Sequence, residues 1–405
     1  MFPVEIWEEI LKHIDPIDLV RFRRVCKCWC DIIQKILEQP DIWYEKCQKD
    51  VPSGFWRLIL EQKNYSIVNW RNFHAAKYHL HVWKSLFKSW LGWRNLVHQS
   101  YEIEKLKPIP KHRPMERITC MAALSDSVAV GTSEGYVTIF NLRENSTSKV
   151  DRTIFLEDLT LWKNGVDHLI VSTTAVNKVV MHWNVYEKVS EIQLRGTLMS
   201  AGSQYCYSII GNQLTRVSAE IKDSIELVEV LWDLPKLGKI VAMCADVRKV
   251  FLWSDTKQYI QFYIEENSAY YKVSKRNDPR IEARYYHCFK PCIVSCIGVL
   301  GEIGFSVAGR QWKIYQVFSK FLANVTSVLF HIGVLVLGLE SGEIHLFAIE
   351  NIYALEKLNF DTLRSKKLIL DTSPIIYLKA MENDLNQYIV AATDAHVYVV
   401  KFDSL

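Results

Sequence analysis

The feature that most limits the fold is a unit of short alternating strands that recurs about every forty residues along most of the chain. Its copies begin near residues 118, 158, 198, 239, 293, 325 and 375. A sheet of four such strands cannot bury its two faces alone, so a period of this length indicates propeller blades. We predict a multidomain protein in which an all-α N-terminal part precedes an all-β propeller of seven blades.

The last repeat is one strand short, because it ends at its third strand near Phe402. We expect residues 101–105, which precede the first repeat, to supply the missing outer strand. Pairing the two ends of the chain in this way would close the ring and remove both exposed sheet edges.

Three short amphipathic helices are predicted between residues 2 and 37. A second helix should begin after Asp15, because Asp15 is a suitable N-cap and Pro16 suits the first helical position. A unit below about 40 residues rarely buries a large apolar surface by itself, so part of this surface should contact a partner. The apolar positions at helical spacing in the first and third helices are Ile6, Trp7, Ile10, Leu11, Ile14, Val25, Trp29, Ile32, Ile33 and Ile36.

The same residues resemble an F-box over residues 2–48. The matching stretches are Phe2-Pro3-Val4-Glu5-Ile6, Ile10-Leu11, Ile14-Asp15, Asp18-Leu19 and Arg24-Val25-Cys26-Lys27-Cys28-Trp29, with Trp43 behind them. Phe2 stands where leucine is commoner in that family. The resemblance implies docking onto the Skp-family adaptor of a cullin-RING ubiquitin ligase.

The resemblance also implies which residues build the box and its adaptor-facing surface. The sequence does not sort them into core and interface. We expect Leu11 to lie on the exposed stripe, so that the Leu11→Asp substitution would abolish adaptor binding. The full set is Pro3, Ile6, Ile10, Leu11, Leu19, Val25 and Trp29.

Residues 49–97 are rich in tryptophan and in basic side chains. Between residues 51 and 100 there are seven Lys or Arg against one acid, Glu61. Such a segment could stack on and neutralise nucleic acid. We favour a helical linker, because Trp90 and Trp93 share a helical face that Lys84 and Lys88 avoid. It is loosely similar to segments that join an F-box to a repeat domain.

Two hairpins, at residues 131–140 and 338–347, look like the central hairpin of WD repeats. The blades are degenerate, because no Gly-His opening occurs and the Trp232-Asp233 pair is misplaced. We therefore expect the hydrogen-bonded tetrad of that family to be mostly absent. The predicted domains are an F-box at 1–48, a Trp-rich basic helical linker at 49–97 and a WD-repeat-like β-propeller at 98–405.

Cofactor, metal and catalytic motifs are not found in the sequence, so we expect a non-catalytic protein. Cys288, Cys292 and Cys296 would align only on a helix, and the sequence there favours a strand. Ten scattered cysteines suit a reducing compartment. The acidic start of the chain and the lack of a long apolar run predict a cytosolic or nuclear protein without a membrane segment.

The resulting hypothesis is a substrate receptor of an SCF-type E3 ubiquitin ligase. A non-degradative F-box scaffold is the alternative, followed by a nucleic-acid-binding propeller. The target is expected on the face made by loops that join second to third strands and one blade to the next. Trp312 could wall a pocket there, and arginines could read a phosphorylated target. The candidate target-binding residues are Lys178, Arg195, Lys257 and Arg310.

Overall fold

The computed structural model divides into two compact units, Met1–Trp93 and Arg94–Leu405. It describes residues 3–62, 80–106, 116–150, 156–164, 168–175, 178–182, 191–194, 198–201, 205–218, 228–234, 238–246, 249–264, 269–274, 277–383 and 385–403.

The first unit is helical. Its second helix begins where the sequence predicts, because the Asp15 side chain accepts the Ile17 N–H at 2.9 Å. The third begins at a cysteine cap, with Cys26 Sγ accepting the Trp29 N–H at 3.4 Å. The helices are α1 (Val4–Lys12), α2 (Pro16–Phe22), α3 (Lys27–Leu37), α4 (Pro40–Asp50), α5 (Ser53–Gln62) and α6 (Leu80–Asn95).

One buried lysine ties α2 to α4. The side chain of Lys46 is only 8% exposed, and its ammonium bonds the N-cap Asp15 and lies 2.6 Å from Asp50. Burial alone would raise the pKa of Asp15, but the bonds from Lys46 and from the Ile17 N–H hold that pKa below its usual value. The cap of α2 therefore depends on a residue more than thirty positions away.

The second unit is built of strands in seven four-stranded antiparallel sheets. The first three sheets hold β2 (Ile118–Leu124), β3 (Ser127–Thr132), β4 (Val137–Asn141) and β5 (Ser146–Val150), then β6 (Asp158–Asn164), β7 (His168–Ala175), β8 (Lys178–His182) and β9 (Glu191–Leu194), then β10 (Leu198–Ala201), β11 (Tyr205–Ile210), β12 (Gln213–Ser218) and β13 (Val228–Asp233).

The next three sheets hold β14 (Ile240–Asp246), β15 (Lys249–Ser254), β16 (Tyr259–Ile264) and β17 (Ala269–Val273), then β18 (Ala283–Phe289), β19 (Ile293–Gly298), β20 (Ile303–Val307) and β21 (Lys313–Tyr315), then β22 (Val325–His331), β23 (Val334–Leu339), β24 (Glu343–Ala348) and β25 (Ser365–Ile369). The last sheet holds β26 (Tyr377–Glu382), β27 (Gln387–Ala392), β28 (Val397–Phe402) and the early strand β1 (Tyr101–Leu106). A short helix, α7 (Phe318–Phe321), precedes β22.

In six sheets successive strands pair as a meander, and in the seventh β1 adds to β28, so the predicted all-β propeller is confirmed. The fifth repeat, however, begins with β18, ten residues earlier than the start predicted near residue 293. The residues of β18 lack a clear apolar alternation, because none of them is fully buried and Tyr285 is more than half exposed. The strand predicted to come first in this repeat is therefore the second.

A bulge recurs at the second residue of the first strand. It occurs in four sheets, where Thr119, Val241, Arg284 and Thr326 are skipped by the pairing register. A bulge of this kind increases the local twist of a strand pair. The repeated bulge thus gives these sheets extra twist at the same end of the first strand.

The glycines of the two WD-like hairpins face these bulges. A methyl group at Gly131 would lie 2.4 Å from Cys120 Sγ, and one at Gly338 would lie 2.2 Å from Ser327 Oγ. The bulged Thr326 in turn donates its hydroxyl to the Gly338 carbonyl at 3.2 Å. Glycine fits these strand ends because a side chain there would meet the Cys120 and Ser327 side chains of the neighbouring strand.

Strand β1 closes the last sheet, as predicted. It pairs antiparallel with β28 over six residue pairs, from Tyr101 opposite Phe402 to Leu106 opposite Val397. The Lys366 ammonium lies 4.6 Å from the centre of the Tyr101 ring. The two ends of the propeller are thus held by backbone pairing and by side chains.

A chain shortened to begin at residue 114 should be less stable than one that begins at residue 99, because it lacks β1 and exposes the edge of β28. We expect the longer form to melt in one transition and the shorter form to melt earlier and less cooperatively. Calorimetry of both forms measures this difference. Equal melting temperatures and equal cooperativity would show that β1 is dispensable.

A hydrogen-bonded aspartate links the last two sheets. Asp371 Oδ2 accepts the Tyr398 hydroxyl at 2.8 Å and lies 3.0 Å from His396 Nδ1, while Oδ1 accepts the Thr372 N–H. Burial alone would raise the pKa of Asp371, but these bonds outweigh it and lower the pKa to about 2. This network therefore joins the loop after β25 to the strand β28 of the last sheet.

The Asp371→Ala substitution should lower the free energy of unfolding by about 1–3 kcal/mol at pH 7, because it leaves polar partners without an acceptor. Since the folded pKa is about 2, below the ordinary 3.8, the carboxylate stabilises the fold above about pH 4. This contribution is lost as the pH falls from about 4 towards 2. Urea unfolding between pH 7 and pH 3 should show that the free energies of unfolding of the variant and the wild type become more alike as the pH falls. The control is Asp361→Ala, because Asp361 is exposed. A difference that stays constant with pH contradicts the assignment.

Candidate functional site

An apolar surface is exposed at the start of the first unit. Its side chains, which are 37% to 61% exposed, come from α1, from α2 and from the turn before α3. Full burial of one such side chain is worth about 1.5–3 kcal/mol. We call this set the N-terminal apolar surface; it consists of Val4, Ile6, Ile10, Val20, Phe22 and Val25.

The structure sorts the seven predicted box residues into two groups. Pro3, Ile6, Ile10 and Val25 are exposed. Trp29 is half-buried, with its ring centroid 5.0 Å from that of Trp7 and 6.1 Å from that of Phe22. Trp29 therefore packs against Phe22, which belongs to the N-terminal apolar surface.

The other two, Leu11 and Leu19, are 0% exposed and belong to the core of the helical unit. The expectation that Leu11 lies on the exposed stripe is wrong, because Leu11 packs on the inner face of α1 while its neighbour Ile10 points outward. The Leu11→Asp substitution would bury a charge and unfold the unit. It therefore cannot test binding.

Residues 1–37 match the F-box domain family. These residues are an F-box domain. Such domains dock onto Skp-family adaptors of SCF-type ubiquitin ligases, and the proteins that carry them are typically non-catalytic adaptors. A search of curated proteins found no match to this chain.

The β-propeller resembles solved WD40-type propellers. The structure of YCF48 bound to a D1 peptide matches with a TM-score of 0.50 at 9% identity, covering 75% of this chain and 97% of that one. The mitotic checkpoint complex matches with a TM-score of 0.50 at 11% identity, covering 76% of this chain and 94% of that one. At these identities the similarity shows the fold alone.

The described tryptophans that follow the F-box are buried or half-buried in the helical unit. Trp83 is fully buried, and its ring centroid lies 4.8 Å from that of Tyr44 and 5.5 Å from that of Trp56. Lys84 and Lys88 on the same helix are exposed. A groove for single-stranded nucleic acid would need aromatic and basic side chains on one surface. The described part of the segment has them on different faces, as the linker interpretation predicts.

Of the four candidate target-binding residues, Lys178 and Lys257 lie at second-to-third strand turns. Lys178 is the first residue of β8 and pairs with Ala175. Lys257 lies between β15 and β16 with a left-handed φ of 64°, and its ammonium bonds the Tyr286 hydroxyl. Arg195 lies outside the described residues.

Arg310 lies on a different turn from the predicted one. Because β18 is the first strand of its sheet, Arg310 joins the third strand to the fourth rather than the second to the third. Its side chain is 58% exposed, lies 3.7 Å from the Glu356 carboxylate and stacks 4.6 Å over the Tyr353 ring. The guanidinium of Arg310 is therefore already engaged within the propeller.

Two of the three clustered cysteines lie on strands rather than on a helix, as the sequence favours. Cys288 is in β18 and Cys296 is in β19, with Cys292 in the turn between them. Burial raises the pKa of Cys296 to about 12 and that of Cys288 well above the usual value, which favours the protonated thiol in both. Within the described residues no group of three or more metal-binding side chains is found, and no helix is long and apolar enough to cross a membrane.

Proposed function

We propose that this chain is the substrate-recognition subunit of an SCF-type cullin-RING E3 ubiquitin ligase. In this role the F-box binds the Skp-family adaptor and the propeller binds the target protein. The observation that carries the proposal is the N-terminal apolar surface, which is exposed within a domain whose family docks onto that adaptor. We further propose the boundaries 1–48 for the F-box, 49–97 for the linker and 98–405 for the target-binding propeller.

The centre of the adaptor contact in this proposal is formed by Ile6, Ile10 and Val25. These side chains are exposed, whereas Trp29 is half-buried and contacts the rings of Trp7 and Phe22. Binding energy at an interface is concentrated in a few apolar anchors held on a rigid support. Leu11 and Leu19 contribute by holding α1 and α2 in place.

The mechanism would be positional rather than catalytic. A receptor that holds its target beside a ubiquitin-charged enzyme converts a bimolecular encounter into a reaction at high effective concentration. Such a receptor needs no reactive side chain of its own. The free state of all ten cysteines suits the cytosol or the nucleus, where we propose that it acts.

The Ile10→Asp substitution should weaken adaptor binding by at least about 30-fold, or 2 kcal/mol, because it places a charge in the centre of the apolar contact. Since Ile10 is exposed, the helical unit should stay folded. Calorimetric titration with the purified adaptor measures the affinity, and circular dichroism checks the helix content.

Ile369→Asp is the matched control, since this isoleucine is also exposed but lies on β25 of the propeller. It should bind the adaptor like wild type. Undiminished binding by Ile10→Asp would refute the proposed surface.

Target turnover separates the ligase receptor from a non-degradative scaffold. With wild-type protein, a captured target should gain ubiquitin and its half-life should shorten, and the Ile10→Asp variant should capture it without shortening its half-life. A target that is captured by wild type yet keeps its half-life and stays unmodified would favour the scaffold.

A further inference from the structure

A pocket of about 730 Å³ lies where the chain enters the fifth sheet of the propeller. One wall is the connection from β17 to β18, and the other is the turn from β20 to β21. Its volume falls within the range of about 300–1,000 Å³ that is usual for ligand sites. The apolar lining is Pro279, Ile281, Trp312 and Ile314, and the polar lining includes Arg280 and Gln311.

Asn277 holds the two walls together. Its carbonyl accepts the Trp312 indole N–H at 2.8 Å, and its side-chain amide donates to the carbonyl of Arg310. Its own N–H donates to the Lys257 carbonyl at 2.9 Å. The position of the Trp312 ring is thus fixed before any ligand binds, which lowers the entropic cost of binding.

Arg280 presents an unused cation at this pocket. Its backbone has a left-handed φ of 59°, an uncommon conformation for a long side chain, and the Asp278 carboxylate accepts its N–H at 3.1 Å. The guanidinium is exposed and forms no hydrogen bond or ion pair with the described residues. Strained backbone of this kind concentrates at binding sites.

We propose that this pocket binds a short peptide segment of the target protein in which an acidic side chain neighbours a bulky apolar one. This inference rests on the proposed function and names the chemistry of its target. The Arg280 guanidinium can hold a carboxylate through two parallel hydrogen bonds. Trp312 and the two isoleucines, Ile281 and Ile314, would cover the apolar side chain.

The charges at the pocket select a carboxylate over a phosphate. A phosphorylated residue carries about −1.5 to −2 charges and is usually bound by several cations. Among the described residues that line the pocket, Arg280 is the one cation, and Asp278 adds a carboxylate to the same wall. A single negative charge matches Arg280, whereas a second would be repelled by Asp278.

Labelled peptides of about twelve residues test the site on the full chain bound to its adaptor. Within its three central positions, each peptide would carry one residue from the set Glu, Gln, Lys and phosphoserine and one from the set Leu, Phe, Trp and Ser. All other positions would be Gly or Ser. Fluorescence polarisation should detect binding by peptides that join Glu to Leu, Phe or Trp. Replacing Glu by Gln, or the apolar residue by Ser, should weaken binding at least tenfold.

The Arg280→Glu substitution should weaken binding of the same peptides at least tenfold. Arg284→Glu is the matched control, because Arg284 is also exposed but does not line the pocket. It should change the affinity less than twofold. Equal losses in both variants, tighter binding of phosphoserine peptides, or no binding by any peptide would overturn the proposal.

Adaptor binding keeps this test separate from that of the proposed function. Arg280→Glu should bind the adaptor like wild type, which also shows that the variant is folded. If the isolated chain binds the acidic-apolar peptides but never the adaptor, the pocket stands and the ligase role falls. If the adaptor binds but the peptides do not, the ligase role stands and the pocket assignment falls.

Discussion

The pairing of β1 with β28 is the interaction on which the rest of the propeller depends. It joins residues that lie about three hundred positions apart, from Tyr101 opposite Phe402 to Leu106 opposite Val397. Closing a loop of that length costs about 5 kcal/mol of chain entropy beyond a constant, so backbone pairing is reinforced by side chains. Lys366 packs over the Tyr101 ring and bonds the Gln99 carbonyl, and Ser100 bonds Asp403. Without this joint, the sheets would form an open array with two exposed edges.

Several sheets of the propeller share the same local geometry although the residues at the equivalent positions differ. The bulge at the second residue of the first strand recurs in four sheets, although threonine, valine and arginine occupy it. Turn-to-strand bonds recur in the same way, with different groups: Lys239 donates its N–H to Asp255, and Asn324 donates its N–H to Glu340. The Asn324 bonds lower the pKa of Glu340, which shows that the carboxylate is held as an anion. Different residues can thus make the same bond between turn and strand. This is why the sequence shows a repeat length of about forty residues but no conserved WD motif.

The sequence predictions that relied on local chemistry were mostly confirmed, whereas the placement of Leu11, which depended on tertiary packing, was not. Helix starts and strand repeats rest on local chemistry, such as the Asp15 cap and alternation along a strand, and these predictions were confirmed. The start of the fifth repeat failed because β18 has no fully buried residue, so it left no alternating signal. That one missed strand also placed Arg310 on the wrong turn.

The sequence predictions did not include the pocket that Arg280 lines. The Asp278-Pro279 dipeptide, which favours a turn, was the local sequence signal at this place. The placement of Leu11 on the exposed stripe failed for another reason: Ile10 and Leu11 both fit one helical stripe, and only packing against the other helices decides which is covered.

The exposed F-box face also explains why the following segment is so rich in tryptophan. A helical unit that leaves six large apolar side chains exposed has less apolar burial to stabilise it. The unit recovers apolar burial on its other side, where Trp83 is fully buried and Trp43 and Trp90 are nearly so. Trp43 also donates its indole N–H to the Leu37 carbonyl at 3.0 Å, so the end of α3 is joined to the next helix. In the proposed receptor, this second core would stabilise the helical unit while the N-terminal apolar surface stays exposed.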